Sequence, residues 1–251
     1  MSTKSFFSTR RVALCAVLSL LPSMAAAAPI TVASELVDAY GDHYVGAGAV
    51  MGRYQQVYAS DAFGGGGAVS IDELRFRPRM GNAFAITLSD VRVALSTTAA
   101  VPGGLSNTFE DNLGVDEAAV YEGALTLSSV GTSGTPSADF DLVVEFQTSF
   151  VYDPADGNLL VDWQSRGGAD TGSSFVNFDA QYTGGSEPFS GLLAGGGGDL
   201  VGGALPGGLV TRFEATPAAA ASAAGTVIPE PSGFLLFACG ALFAIAPRRL
   251  R

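Results

Sequence analysis

The sequence has very few of the residues that build disulfides, metal centres and nucleophilic active sites. The two cysteines of the 251-residue chain, Cys15 and Cys239, lie in apolar stretches near its two ends, so the region between them holds no disulfide scaffold. His43 is the only histidine, which leaves zinc, copper and haem sites without a ligand set. A serine hydrolase would need His43 as its base, and no Gly-x-Ser-x-Gly motif is present. We therefore interpret His43 as a surface or loop residue.

Basic residues are also scarce. Lys4 is the only lysine, and residues 28–228 contain seven arginines and twenty-three acidic residues, which gives a net charge of −16 with histidine neutral. Such a surface repels nucleic-acid phosphates and anionic lipid head groups, so we predict no nucleic-acid partner. Two interpretations remain, a solvated acidic coat and a surface that binds cations, and we favour the coat.

The first 27 residues have the three-part pattern of a secretory signal peptide. A start with three basic residues precedes an apolar core at 12–21 and a region of small side chains at 22–28. Cleavage after Ala27 or after Ala28 would satisfy the A-x-A rule. We favour the cut after Ala27, because a cut after Ala28 would place Pro29 directly behind the scissile bond. The pattern predicts export through the Sec translocon and removal of the segment by signal peptidase.

The last 25 residues, 227–251, have a second three-part pattern. A rigid, extended Pro-Glu-Pro tripeptide comes first, since proline fixes φ and removes a backbone donor. A segment that is apolar on all sides follows, and an arginine cluster comes last. In order, these parts are the tripeptide Pro229, Glu230 and Pro231; the apolar segment Ser232, Gly233, Phe234, Leu235, Leu236, Phe237, Ala238, Cys239, Gly240, Ala241, Leu242, Phe243, Ala244, Ile245 and Ala246; and the cluster Arg248, Arg249 and Arg251.

This order of parts resembles the PEP-CTERM sorting signal of exported bacterial proteins. In that family a membrane-embedded exosortase recognises the Pro-Glu-Pro motif and processes the protein on its way to the cell surface or extracellular matrix. The resemblance covers the final tenth of the chain. It implies a transmembrane helix over 232–246 that is anchored transiently in the inner membrane. Basic residues at both ends of the chain would then lie on the cytoplasmic side, which places residues 28–228 outside.

The apolar segment is short for a membrane span. At 1.5 Å per residue it reaches roughly 21–23 Å, whereas the hydrocarbon core of a bilayer is about 30 Å thick. The alternative is a C-terminal core helix, which would normally carry one polar face. We favour the membrane, because the segment has no polar face and a transient anchor can tolerate mismatch through snorkelling arginines.

The region between the two ends predicts β-structure throughout. Apolar and polar residues alternate strictly over 139–152, so we expect a strand with one buried face. Residues 153–158 contain the proline, glycine, aspartates and asparagine of a turn. Residues 159–164 alternate again, and we predict that they return as the second arm of a hairpin.

Seven further segments have strand-like patterns, and no long amphipathic helix interrupts them. The alternation slips at residues 89–90, which predicts a bulge or bend. We predict an all-β fold, an antiparallel β-sandwich or jelly roll over 28–216, flanked by an N-terminal signal helix and a short C-terminal hydrophobic helix. Residues 217–228 are predicted to be a flexible linker, and the glycine-rich residues 192–208 a mobile surface loop or a strand pair loosened by glycine. The further strand segments are 50–58, 69–77, 84–88, 91–95, 120–127, 175–182 and 209–215.

Carboxylates are the abundant functional groups of the predicted exported region. They cluster at 110–112, at 116–117 and at 153–158, where they could hold Ca²⁺ or serve as turn-forming side chains. None of these clusters has the spacing of an EF-hand loop, and we favour the turn interpretation.

Two other kinds of site are open to a β-protein of this composition. Glycoside hydrolysis needs two carboxyl groups across a cleft, for which Asp141 with Glu145, or Asp162, are candidates that could equally be solvated polar-face residues. Trp163, Tyr152 and Tyr182 could form a sugar-stacking platform, although aromatic residues at strand periodicity more often belong to the core.

These observations favour an exported, non-enzymatic protein of the cell surface or extracellular matrix. The expected partners are the Sec translocon, signal peptidase, an exosortase, the inner membrane for a limited time, and an exopolysaccharide. No catalytic residue and no cofactor or metal is assigned, with Ca²⁺ left open. The alternatives are a Ca²⁺-dependent or carbohydrate-binding adhesion module, and a polysaccharide-active β-sandwich enzyme.

Overall fold

The computed structural model describes residues 28–32, 34–46, 48–79, 82–131, 140–170, 177–182, 188–194 and 198–218. Strands dominate these ranges, which confirms the prediction of an all-β fold. None of their helices is long and apolar enough to span a membrane. The predicted signal helix, the C-terminal hydrophobic helix and most of the linker lie outside the described residues. Within the described ranges, the helical turns are an α-helix at Gly48–Met51 and 3-10 helices at Ser34–Leu36, Ser60–Phe63 and Phe109–Asn112.

Fourteen strands are present in the described part of the chain. In order they are β1 Ala28–Val32, β2 His43–Gly46, β3 Arg53–Tyr58, β4 Val69–Phe76, β5 Asn82–Thr98, β6 Ala118–Gly131, β7 Leu142–Tyr152, β8 Asn158–Ser165, β9 Ala169–Asp170, β10 Asn177–Gln181, β11 Phe189–Ala194, β12 Gly203–Leu205, β13 Gly208–Leu209 and β14 Thr211–Pro217.

The strands form three antiparallel sheets. Sheet A has the order β1-β14-β4-β7, and sheet B has the order β13-β10-β2. Sheet C has the order β12-β11-β3-β8-β5-β6, with β9 paired to β5. Strands that are neighbours in a sheet are therefore often far apart in the chain.

Side chains from all three sheets meet in one hydrophobic core. Along β7, Leu142, Val144 and Phe150 are buried while Glu145 is exposed, as the alternating pattern predicts. Aromatic side chains of different sheets also contact one another in this core. Tyr58 of sheet C meets Phe213 of sheet A edge-to-face at 5.0 Å between ring centroids. Phe76 of sheet A likewise contacts Trp163 of sheet C and Phe178 of sheet B. Burial of these large side chains is the main source of the fold's stability.

The predicted hairpin of residues 139–164 is wrong in its pairing. The two strands exist, but β7 pairs with β4 in sheet A, whereas β8 pairs with β3 and β5 in sheet C. The turn between them has the predicted chemistry, since the Asp153 carboxylate accepts the Ala155 N–H at 3.0 Å. Gly157 has φ of 150°, and a Cβ there would lie 2.8 Å from the Thr98 carbonyl oxygen. Alternation determines which face is buried and leaves the neighbouring strand unspecified, so the turn can carry the chain from one sheet to another.

Two other predictions from the pattern hold in the structure. The segments 84–88 and 91–95 belong to one 17-residue strand, β5, whose register against β6 shifts between Leu88 and Val91. This shift is the predicted bulge. In the glycine-rich segment, β11 pairs with β12 through Leu192 and Ala204, which agrees with the strand-pair alternative rather than with a surface loop.

A glutamine side chain joins the outer strands of sheets A and C. Gln147 on β7 accepts the Glu122 N–H of β6 at 3.2 Å and donates to the Glu122 carbonyl oxygen at 2.8 Å. These two bonds have the donor and acceptor pattern of one antiparallel backbone pair. They satisfy backbone groups at an edge that would otherwise be open to pairing with another chain.

Candidate functional site

Most of the predicted sorting and processing residues lie outside the described residues. These are Ala27, the tripeptide at 229–231, the apolar segment at 232–246 and the arginine cluster at 248–251. Their roles stay predictions. Ala28, the residue after the favoured cleavage point, is the first residue of β1 and lies opposite Ala215 of β14.

The first and last described strands lie side by side and run in opposite directions. The ladder pairs Ala28 with Ala215 and Val32 with Thr211, so the start of β1 lies beside the end of β14. The next residue after β14, Ala218, donates its N–H to the Ala68 carbonyl oxygen at 2.9 Å. Both ends of the described chain therefore leave sheet A at the same end, called here the chain-end side.

Sheet B lies at the opposite end of sheet A. Strand β4 begins on the chain-end side and ends at Phe76, and Pro78 then bridges to Phe178 of β10. The Asp179 N–H also donates to the Arg77 carbonyl oxygen at 2.9 Å. The eight residues of β4 separate the two ends by about 25 Å, at roughly 3.3 Å per residue.

A buried charge cluster holds sheet B in place. The Asp179 carboxylate is fully buried and accepts from Arg77 Nε at 3.0 Å, from Arg77 Nη2 at 2.5 Å and from Arg79 Nη1 at 3.2 Å. The Gly41 N–H donates to both carboxylate oxygens, at 3.1 and 3.2 Å. Arg77, which is also fully buried, donates in addition to the Leu36 carbonyl oxygen at 3.0 Å. The cluster attaches the segment after β1 to β4 and β10, and it satisfies charges that would be costly to bury alone.

A stack of three rings lies at one edge of sheet B, where β2 supplies the exposed His43 and Tyr44 and the residue after β10 supplies the half-buried Tyr182. His43 and Tyr182 are stacked at 4.4 Å between ring centroids with 19° between their planes, and His43 and Tyr44 at 5.5 Å with 9°. His43 is exposed, and Tyr44 is 52% exposed. Tyr182 was a candidate from the sequence, whereas its two partners were not recognised as a site. The adjacent His43-Tyr44 pair at the start of a short polar strand was the available signal.

Of the two interpretations of Trp163, Tyr152 and Tyr182, the favoured one, a place in the core, holds for the first two. Trp163 is 1% exposed and donates its indole N–H to the Val50 carbonyl oxygen at 2.8 Å. Tyr152 is also buried, and its hydroxyl donates to the Gly157 carbonyl oxygen at 2.8 Å. Both rings belong to the hydrophobic core, and only Tyr182 contributes to a surface stack.

The polar side chains at 110–112 do not share one site, because Glu110 and Asn112 bind different partners. Glu110 forms an ion pair with Arg53 at 2.7 Å, and this bond lowers the pKa of the Glu110 carboxyl group. Asn112 is buried and donates to the Gln55 side-chain oxygen at 3.0 Å. Within the described ranges, no three His, Cys, Asp or Glu side chains come close enough together to hold a metal ion.

The other two acidic clusters stabilise local structure. Asp116 accepts the Thr97 N–H at 2.8 Å, and Glu117 forms an ion pair with Arg92. Asp153 accepts a backbone N–H within its own turn. The Asp153 contact agrees with the turn interpretation of its cluster, whereas Asp116 and Glu117 bind partners on β5 rather than their own turn.

The candidate carboxylates for hydrolysis lie in different sheets. Asp162 is buried in sheet C and binds Arg53 with both oxygens, at 3.1 Å each. Asp141 precedes β7 of sheet A, and Glu145 is exposed on that strand opposite Glu73.

Comparison with known proteins gives no relative for this chain. No protein-family model matches it, and no curated protein and no solved structure is similar enough to count as a match. The sites are therefore argued from their own geometry.

An open cleft lies on the chain-end side of the molecule. Its volume is about 510 Å³, and it is lined by the 3-10 turn after β3, the glycine loop before β4 and the turn after β7. Asp61 and Asp153 are its charged side chains, and no aromatic ring lines it. Its walls consist mainly of glycine backbone and small side chains, so few side chains could fix the orientation of a ligand.

Proposed function

We propose that this chain is an exported protein whose C-terminal residues 229–251 are a sorting tail. Signal peptidase removes the first 27 residues, and an exosortase acts at or near Pro229-Glu230-Pro231. The product is then released to the cell surface or extracellular matrix. The folded region between the two processed ends serves as a structural or binding module without catalysis.

The proposal is carried by the positions of the first and last described strands. Ala28, the residue after the favoured cut, pairs with Ala215 in the β1–β14 ladder, so a cut after Ala28 would remove a paired residue. Strand β14 ends at Pro217, where the predicted linker starts. This agreement supports assigning both flanking segments to targeting.

The arrangement of the two ends also supports a tail that is read at a membrane. Both ends leave sheet A on the chain-end side, so two membrane-directed segments could be inserted side by side without unfolding the body. The twelve residues of the linker at 217–228 could span up to about 40 Å when extended. That reach lets the tripeptide contact a membrane enzyme while the folded region stays clear of the lipid.

We further propose that the sheets pack as an antiparallel β-sandwich. The supporting observation is the single core to which sheets A and C both contribute their inner faces, through contacts such as Tyr58 with Phe213. The Gln147 bridge between β6 and β7 fits the same arrangement, because it joins the outer strands of the two sheets along one side.

The sorting proposal is tested by intact mass of the protein recovered from cells and from the medium. The unaltered chain should lose its first 27 residues and be processed near residue 229. Replacing the tripeptide at 229–231 by alanines should leave an unprocessed tail in the membrane fraction. A matched control replaces three consecutive linker alanines, 219–221, by serine, and it should be processed normally.

A second variant tests the topology of the tail. Changing Arg248, Arg249 and Arg251 to glutamate reverses the charge that holds the end of the segment in the cytoplasm, so retention of the tail in the membrane should weaken. Unchanged processing in this variant would contradict the topology. Unchanged processing of the alanine tripeptide variant, or full-length protein in the cytosol, would contradict the sorting function itself.

A further inference from the structure

We propose that the ring stack of His43, Tyr44 and Tyr182 binds a neutral saccharide. The stack is at the surface, whereas ring pairs such as Tyr58–Phe213 lie in the core and are explained by packing alone. Three nearly parallel rings at the surface contribute little to the core. Their arrangement points to a ligand with a flat, weakly polar face.

The chemistry of the stack suits a pyranose ring. An aromatic face carries partial negative charge, and the C–H groups on one face of a sugar ring carry partial positive charge, so the two attract each other. Tyr44 offers the most accessible ring, with about half of its surface exposed. The tyrosine hydroxyl groups, the imidazole of His43 and the exposed Asp42 beside it provide donors and acceptors for sugar hydroxyls.

The rings are held by a network that is already in place without a ligand. His43 lies opposite Ala180 in the β2–β10 ladder, and Arg79 donates to the His43 carbonyl oxygen at 2.7 Å. Asp42 accepts the Tyr182 N–H at 2.7 Å and donates its own N–H to the Gln181 side chain at 2.8 Å. Because Arg79 also binds the buried Asp179, the stack is tied to the charge cluster. Such pre-organisation lowers the ordering cost of binding.

The charge of the protein selects among ligands that stack on rings. Residues 28–228 carry a net charge of −16, which repels uronic-acid polymers and nucleic acids. Stacking on exposed aromatic rings is also how single-stranded nucleic acids are held, but that mode needs a positively charged groove along the backbone. A neutral saccharide can stack on the ring faces, and the negative charge of the protein does not repel it.

The position of the stack fits a binding site on a protein held at a surface. Sheet B lies about 25 Å from the chain-end side, by the length of β4. While the unprocessed tail holds the protein transiently in the membrane, as proposed above, the stack faces away from the lipid. Only this orientation rests on the proposed function, and the binding itself does not depend on it.

The binding proposal is tested by electrophoresis of the exported protein through native gels that contain a soluble polysaccharide. The probes are dextran, laminarin and xyloglucan as neutral polymers and polygalacturonate as an anionic one. At least one neutral polymer should retard the protein, and polygalacturonate should not. Tyr44→Ala should weaken the retardation constant roughly three- to tenfold, whereas Tyr44→Phe, which keeps the ring, should retain most of it.

A tyrosine outside the stack provides the matched control. Tyr121 lies on β6 of sheet C, and Tyr121→Ala should bind as the unaltered protein does. Fluorescence of Trp163 reports whether each variant is folded. The proposal is overturned if no neutral polymer retards the protein, if polygalacturonate retards it equally, or if Tyr44→Ala and Tyr121→Ala behave alike. Intact mass of Tyr44→Ala should show normal tail processing, which separates a failure of binding from a failure of sorting.

Discussion

The charge cluster around Asp179 predicts a large effect for a small substitution. Asp179→Asn keeps the size of the side chain and removes its charge, which leaves the fully buried Arg77 without its counter-ion. Breaking a buried ion pair from one side costs about 3–5 kcal/mol, because the remaining charge is neither solvated nor paired. That loss is a substantial part of the roughly 5–15 kcal/mol by which a domain is usually stable.

Urea unfolding followed by tryptophan fluorescence measures this loss directly. Trp163 is the only tryptophan and is buried, so its emission should shift to longer wavelength when the protein unfolds. With an m-value of about 2 kcal/mol/M, the midpoint of Asp179→Asn should fall by roughly 2 M at an unchanged m-value. The matched control is Asp90→Asn, because Asp90 pairs with Arg166 at 3.1 Å while both side chains are more than a third exposed. An exposed pair contributes at most about 1 kcal/mol, so this midpoint should move by about 0.5 M or less.

The comparison of the two variants decides whether the reasoning holds. Equal midpoints for Asp179→Asn and Asp90→Asn would refute the view that the buried cluster holds sheet B in place. If Asp179→Asn does not fold, Arg79→Gln provides a milder test. Arg79 is 20% exposed and binds the same carboxylate. The fall in the urea midpoint of Arg79→Gln should therefore lie between the falls expected for Asp179→Asn and Asp90→Asn.

Three further predictions concern stability. Gly208→Ala should cost about 1–3 kcal/mol, because its Cβ would lie 2.5 Å from the buried Gln56 side-chain oxygen, whereas Gly46→Ala has open space and should cost less than about 1 kcal/mol in the same urea assay. Gln147→Ala removes both bonds from β7 to the backbone of β6 and should lower the free energy of unfolding by about 1 kcal/mol, and a thermal melt identical to that of the unaltered protein would contradict the bridge. The pKa of Glu110 is lowered in the folded state, so its contribution to stability is present above the ordinary value near 4.5 and is lost as the pH falls through the folded pKa. The free energy of unfolding of Glu110→Gln should therefore fall by less than that of the unaltered protein between about pH 5 and pH 3. If urea unfolding gives the same fall for both proteins over this range, Glu110 does not have this role.

Local patterns in the sequence predicted most of the strands and the faces that they bury. The alternation over 139–152 predicted the buried side of β7, and the slip at 89–90 predicted the bulge in β5. Strand β3 shows the limit of such patterns, because all six residues of Arg53–Tyr58 are buried. The segment around Asn112 covers the outer face of β3, and Asn112 binds Gln55 there. A strand covered on both faces has no period-two pattern from which it could be predicted.

The features that depend on distant pairing could not be predicted from the sequence. Arg77 and Asp179 are 102 residues apart, and neither sequence context indicates the other. His43 and Tyr182 are brought together only because β2 pairs with β10. The clusters at 110–112 and 116–117 did not indicate the partners of Glu110, Asp116 and Glu117, which lie on the distant strands β3 and β5.

Pairing of β1 with β14 delays one contact of sheet A while the chain is being made. Strand β1 is the outer strand of sheet A, and β14 is the neighbour that it pairs with. Arg212 and Thr31, which form a side-chain bond across this pair at 3.3 Å, are 181 residues apart. A polypeptide that emerges from its amino terminus first must therefore leave β1 without its ladder until nearly the whole body has followed. The peptide bond after Ala27 thus stays next to an unpaired strand throughout that time.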